Sequence, residues 1–219
     1  MSKRIRFIVL TLAAALLLAL PAGAYPDTAG HWAAEDIDAV SELGLFGGME
    51  DGSFSPDAPM DRSMAVVVLW RLAGRPAYET PHGFPDAVER GWYSTALRWA
   101  KRCGIATGDE KGYFRPENSV TREELVTLIV RWLSQTYPER FEGQMNTLEF
   151  YAASYLDHAT EHFTDASSGS HWASAGLGWA IETGTLKGDE NGRLRPSATV
   201  TRAEAAAIFV RVYDLYVAG

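Results

Sequence analysis

The feature that most constrains this chain is a unit that recurs three times in fixed register. Aligned on Pro56, Pro116 and Pro196, the sequence places Trp32, Trp92 and Trp172 24 residues upstream and Arg62, Arg122 and Arg202 six residues downstream. A second arginine follows nine residues later in each unit, at Arg71, Arg131 and Arg211. Three glycines precede each proline at common offsets: Gly44, Gly48 and Gly52; Gly104, Gly108 and Gly112; Gly184, Gly188 and Gly192. An aspartate opens each unit, at Asp27, Asp86 and Asp165. A short unit of this kind cannot bury its apolar stripe alone, so the three are expected to share one core.

Each unit reads as helix, Gly-rich loop, helix. Apolar residues recur at helical spacing in the first helix: Ile37, Val40 and Leu43; Leu97, Ala100 and Cys103; Leu177, Ala180 and, more weakly, Thr183. A glycine follows each, where helices commonly end in a left-handed residue. Phe54, Phe114 and Leu194 stand two residues before the prolines and are expected to plug the loop into the core. The second helices start at Thr121-Arg122-Glu123-Glu124 and Thr201-Arg202-Ala203-Glu204, both capping boxes. The first unit has Asp61-Arg62-Ser63-Met64 instead. Asp is a good N-cap, but Met64 cannot close the box, so a looser first turn is expected there. The fold class is all-α: three helix–loop–helix repeats packed as an intrachain pseudo-threefold trimer with a shared helical core.

The start of the chain has the layout of a secretory leader. Lys3, Arg4 and Arg6 precede an apolar run from Phe7 to Leu20, which ends in an Ala-x-Ala pattern at Ala22–Ala24. Cleavage is expected after Ala24, with no membrane insertion afterwards. The 219-residue chain carries a formal charge of −8, and loss of the three basic leader residues takes it to −11. That argues against nucleic acid as a partner, which needs a basic surface. Cys103 is the single cysteine, so no intrachain disulfide forms, and its helical position favours a small buried hydrophobe over a nucleophile.

Phe163-Thr164-Asp165, His171-Trp172-Ala173, the Gly-Asp-x-x-Gly loop and Val200-Thr201-Arg202-Ala203-Glu204 resemble the S-layer homology motif. The second unit is similar through Phe84-Pro85-Asp86, Gly91-Trp92-Tyr93 and Val120-Thr121-Arg122-Glu123-Glu124, and the first through Tyr25-Pro26-Asp27 and His31-Trp32-Ala33. The divisions expected are a signal peptide at 1–24, repeats at 25–76, 84–133 and 163–215, and a helical insertion at 134–162. The resemblance implies a three-lobed helical unit whose grooves bind secondary cell-wall polysaccharide, often with a pyruvyl ketal on an amino sugar. It implies non-covalent anchoring at the cell wall or S-layer, without cofactor or catalysis.

For the candidate carbohydrate-binding residues two readings stand side by side. Arg62, Arg122 and Arg202 occupy the first helical position, where free N–H groups and the helix dipole favour an anion such as a carboxylate. The rival role is a tie to an opening aspartate. Trp32, Trp92 and Trp172 either stack on a sugar face or pack the core, whereas Trp99 and Trp179 read as core. Asp27, Asp86 and Asp165 either accept sugar hydroxyls, the role the resemblance implies, or cap a helix. Gly48, Gly108 and Gly188 either admit ligand to the backbone or serve the turn. Arg71, Arg131 and Arg211 read as structural or solvated.

No metal site is expected: His31 and His171 align with Gly91, and the loops lack a calcium-ligand series. No Gly-x-Ser-x-Gly, zinc motif or phosphate loop appears, which leaves a wall hydrolase without a site. The alternative to polymer binding is a protein–protein adaptor at the cell surface that keeps the fold without the sugar, with a surface protein as partner. The segment between Trp132 and Phe163 either packs on the outside or borders the groove between the second and third repeats.

Overall fold

A computed structural model describes residues 25–141 and 148–218. The leader expected at 1–24 and part of the insertion, 142–147, lie outside the described residues. The first repeat supplies α1 (Ala34–Glu42) and α2 (Arg62–Leu72), and the second α3 (Ser94–Arg102) and α4 (Arg122–Thr136). The insertion supplies α5 (Leu148–His162), and the third repeat α6 (Ser174–Glu182) and α7 (Arg202–Tyr216). Short 3-10 turns add to these, and no β-strand occurs among the described residues. The chain is all-α, as its periodicity predicts.

The helices start and stop where local chemistry dictates. Thr121 Oγ1 accepts the Glu124 N–H (3.3 Å), while Glu124 Oε2 accepts the Thr121 N–H (2.9 Å). Thr201 and Glu204 do the same at 3.1 and 3.0 Å. Asp61 makes no side-chain cap bond, so α2 begins without either half of the box. Gly44, Gly104 and Gly184 take φ near +66 to +69° just after the first helices, which a residue with a Cβ adopts only with strain. The third apolar position of each first helix thus sits at the cap rather than in the core. Leu43 is exposed and Cys103 only half-buried, and Leu45 and Ile105 take the core places just beyond them. Phe54, Phe114 and Leu194 are fully buried, as the plug reading requires.

The repeats are joined in a closed cycle. α2 packs on α3, α4 on α6, and α7 on α1, so the second helix of each repeat covers the first helix of the next. At the centre the Met60 N–H donates to the Val200 carbonyl (2.9 Å), Val200 to Val120 (2.9 Å) and Val120 to Met60 (2.8 Å). All three residues are fully buried. Around them the first two N–H groups of each second helix donate to a neighbouring repeat. Arg62 and Ser63 reach the carbonyls of Asn118 and Pro116, Arg122 and Glu123 those of Ala198 and Pro196, and Arg202 and Ala203 those of Ala58 and Pro56, at 2.9–3.0 Å. These bonds join each repeat to both of the others.

The insertion is tied to the third repeat. α5 packs on α6, with Tyr151 and Tyr155 buried between them. The Tyr155 hydroxyl donates to the Ala166 carbonyl, and the approach is close enough that a Cβ at Gly178 would overlap the Tyr151 carbonyl. Gly178→Ala is therefore expected to displace α5 and lower stability by about 1–3 kcal/mol, the usual range for overpacking. Urea unfolding followed by far-ultraviolet circular dichroism measures it; an unchanged midpoint would show that α5 yields without cost.

Candidate functional site

Three grooves open between the repeats, and each draws on all three. The first, about 580 Å³, has Arg62 from repeat one, the loop and α4 of repeat two (Gly108, Asp109, Arg115, Glu124, Arg131) and Trp172 from repeat three. The second, about 290 Å³, has Arg122 from repeat two, Gly188, Asp189, Arg195, Glu204 and Arg211 from repeat three, and Trp32 from repeat one. The third, about 200 Å³, has Arg202 from repeat three, Gly48, Met49, Met64 and Arg71 from repeat one, and Trp92 from repeat two. Of the sequence-derived candidates, the arginines, tryptophans and glycines thus come together in sets of three. None of the described residues of α5 lines these grooves.

The tryptophans are exposed, at 65% for Trp32, 64% for Trp92 and 55% for Trp172, so packing does not explain them. Trp99 and Trp179, by contrast, are core. Each exposed indole lines a groove that an arginine also lines.

The arginines make contacts that neither sequence reading anticipates. The Nε–H of Arg62 donates to the Phe114 carbonyl (2.9 Å), that of Arg122 to Leu194 (2.8 Å) and that of Arg202 to Phe54 (2.7 Å). Each arginine is thus a tie between repeats, fixed to a loop carbonyl rather than to the opening aspartate. Arg122 and Arg202 are buried to 5% exposure, and burial pulls their guanidinium pKa down, against the opposing pull of nearby carboxylates. The helix N–H groups expected to face an anion are already bonded across the repeat boundary. An anion in these grooves would therefore meet the guanidinium, not the bare helix end. Arg71, Arg131 and Arg211 bond the carbonyls of Leu45, Ile105 and Thr185 just past the first helices, and all three also line a groove.

The opening aspartates hold their own loops. Asp27 accepts the N–H groups of Phe54 (2.9 Å) and Ser55 (2.7 Å), Asp86 those of Phe114 (2.9 Å) and Arg115 (2.6 Å), and Asp165 those of Leu194 (2.7 Å) and Arg195 (2.9 Å). Ser55, Arg115 and Arg195 are non-glycine residues at φ +52 to +59°, so the carboxylate secures a strained backbone. The remaining lone pairs leave room for a further donor. Gly48, Gly108 and Gly188 face the rings of Tyr25, Phe84 and Phe163, where a Cβ would collide. Sequence reading misses this reason for the glycines. Its signal was an aromatic residue two positions before each aspartate.

The sequence also gives no prior weight to the loop acids. Asp109 Oδ1 accepts from Lys111 and Tyr113, and its Oδ2 pairs with Arg115 at 2.7 Å. Asp189 repeats the backbone pattern with Asn191 and Arg193. The Tyr113 and Arg193 N–H donors hold the Asp109 and Asp189 carboxyls below the ordinary carboxylate range. For Asp27 burial works upward, and the Phe54 and Ser55 donors overcome it.

The fold is a cycle of helical repeats with grooves shared between them. The sequence matches the S-layer homology domain family at residues 24–65, 83–126 and 162–206, more than half of the chain. The chain belongs to that family, with three tandem repeats. It is 28% identical to S-layer protein EA1 of Bacillus anthracis over 192 residues, 87% of this chain and 20% of that protein. It is 27% identical to an S-layer protein of Bacillus licheniformis over 192 residues, again 87% and 20%. An amylopullulanase of Thermoanaerobacterium thermosulfurigenes is 28% identical over 184 residues, 84% of this chain and 9% of that enzyme. The chain spans a fifth or less of the length of these relatives. Membership places it at the cell surface as an anchoring module.

Carboxyls with folded values below their unfolded values contribute stability that is complete above about pH 4 and is lost as pH falls through the folded value. Stability is thus expected to hold from pH 7 to about 4 and then to fall. Asp109→Asn is expected to be less stable at pH 7 with a shallower acid loss, read from urea midpoints at pH 7 and 3.

Proposed function

We propose that the grooves bind a secondary cell-wall polysaccharide, an amino-sugar polymer bearing a pyruvyl ketal, and so hold the protein non-covalently on the bacterial envelope. The observation that carries this reading is that an exposed tryptophan and a helix-start arginine, buried in two grooves and half-buried in the first, line each of three grooves. The indole offers a stacking face and the guanidinium a charge-assisted partner for a carboxylate. Asp27, Asp86 and Asp165 line none of the three grooves; they fix the loop backbone at Phe54, Phe114 and Leu194, and in this reading a sugar hydroxyl reaches their remaining lone pairs. Export through the leader at 1–24 belongs to the same reading.

The arginines are poor test positions because they also tie repeats together, whereas exposed tryptophans tolerate truncation. The mature chain from Tyr25 should sediment with purified wall sacculi and lose that binding when the non-peptidoglycan polymer is stripped. The triple variant Trp32→Ala, Trp92→Ala, Trp172→Ala should bind at least tenfold more weakly with its unfolding midpoint kept. Sedimentation indifferent to stripping, or no sedimentation at all, overturns polymer binding and turns the assignment to a surface-protein adaptor.

A further inference from the structure

The three grooves repeat one geometry but differ in the partner of the helix-start arginine. In the first, Arg62 Nη1 lies 2.7 Å from Glu124 Oε1, and in the second Arg122 Nη1 lies 3.6 Å from Glu204 Oε1. The residue at that position in the third is Met64, whose Sδ is 3.7 Å from Arg202 Nη1. The other Arg202 donors go to the carbonyls of Phe54 and Gly47. Among the described residues no carboxylate comes within ion-pair distance of Arg202, and Asp27 and Asp61 act on it only from farther away.

The loop of the first repeat lacks a charged pair that the other two carry. Met49 stands where Asp109 and Asp189 stand in the other repeats, and Ser55 where Arg115 and Arg195 stand. The third groove is therefore lined by Arg71 and Arg202 with methionines and no acidic residue. The first has Asp109, Glu110 and Glu124 in its lining, and the second Asp189 and Glu204.

A guanidinium that is 5% exposed, with no carboxylate in ion-pair contact and a thioether beside its Nη1, leaves a place for an anion. Thioether sulfur is a weak acceptor. We propose that the third groove is the anion-selective one: a ligand carboxylate takes beside Arg202 the place that Glu124 and Glu204 fill internally in the other two. Met49, Met60 and Met64 form a deformable apolar wall suited to a small methyl or acetyl group next to that carboxylate. In the first two grooves an internal glutamate competes for the arginine, so binding there rests on stacking and hydroxyl contacts. This assignment rests on the polymer-binding reading and names which groove recognises the charge.

Each groove has its own reporter, since Trp92, Trp172 and Trp32 edge the third, first and second respectively. The indole N–H signals of the three tryptophans would be followed by NMR in the chain from Tyr25. The probes are the methyl glycoside of a pyruvyl-ketal N-acetylhexosamine and its uncharged methyl ester. The acid should shift Trp92 at a concentration at least tenfold below that needed for Trp32 and Trp172, and the ester should lose this preference. Met64→Glu closes the capping box that α2 lacks and supplies the missing carboxylate. It should raise the concentration needed at Trp92 at least tenfold, with the free-state signals of Trp32 and Trp172 reporting an intact fold. Equal response at all three tryptophans, or a Met64→Glu variant that binds the acid unchanged at Trp92, overturns the assignment while leaving polymer binding in place. No response at any tryptophan to either sugar overturns both.

Discussion

The ring of backbone hydrogen bonds among Met60, Val120 and Val200 is the constraint on which the rest of the structure depends. Buried N–H and carbonyl groups must find partners, and here each of the three finds its partner in another repeat. The ring brings the starts of α2, α4 and α7 together. Their leading N–H groups can then be satisfied by the loop of a neighbour, and each arginine at the first helical position faces a neighbour's carbonyl. Grooves follow from the same geometry, because the arginine, the loop and the tryptophan at each opening come from three different repeats.

The glutamate of the capping box links local and long-range structure. Glu124 closes the cap with one oxygen and meets Arg62 of the preceding repeat with the other, and Glu204 does so with Arg122. One side chain thus stops a helix from fraying and sets the charge of a groove. Met64 in its place removes both contributions at once: α2 lacks the glutamate half of the box, and Arg202 of the third groove lacks an ion-pair partner.

Features that depend on spacing within one repeat were legible in the sequence: the capping boxes, the left-handed glycines after the first helices, the buried plug at Phe54, Phe114 and Leu194. Features that depend on meeting a neighbour were not. The helix-start N–H groups of Arg62, Arg122 and Arg202 look free in a single repeat, and only the assembled ring shows them bonded. Apolar periodicity could not separate Trp32, Trp92 and Trp172 from core residues, since they precede the regular part of the first helix. The role of Gly48, Gly108 and Gly188 needed the position of an aromatic ring more than twenty residues away. Leu43 was misplaced because helical periodicity was carried one residue past the point where the chain turns.

Closure of the ring also sets the order in which the molecule can assemble. A linear stack of repeats gains one interface with each unit added, but here the last interface joins Arg202 to Phe54 and Gly47, 148 and 155 residues away in the chain. Contacts so distant in sequence carry the largest loop-closure cost and form late. During synthesis or export the first repeat therefore emerges with its loop carbonyls unmatched and its α1 face uncovered until α7 arrives. The second helix of the third repeat acts as the latch on the three-repeat unit, and a chain interrupted before α7 has two repeat interfaces rather than three.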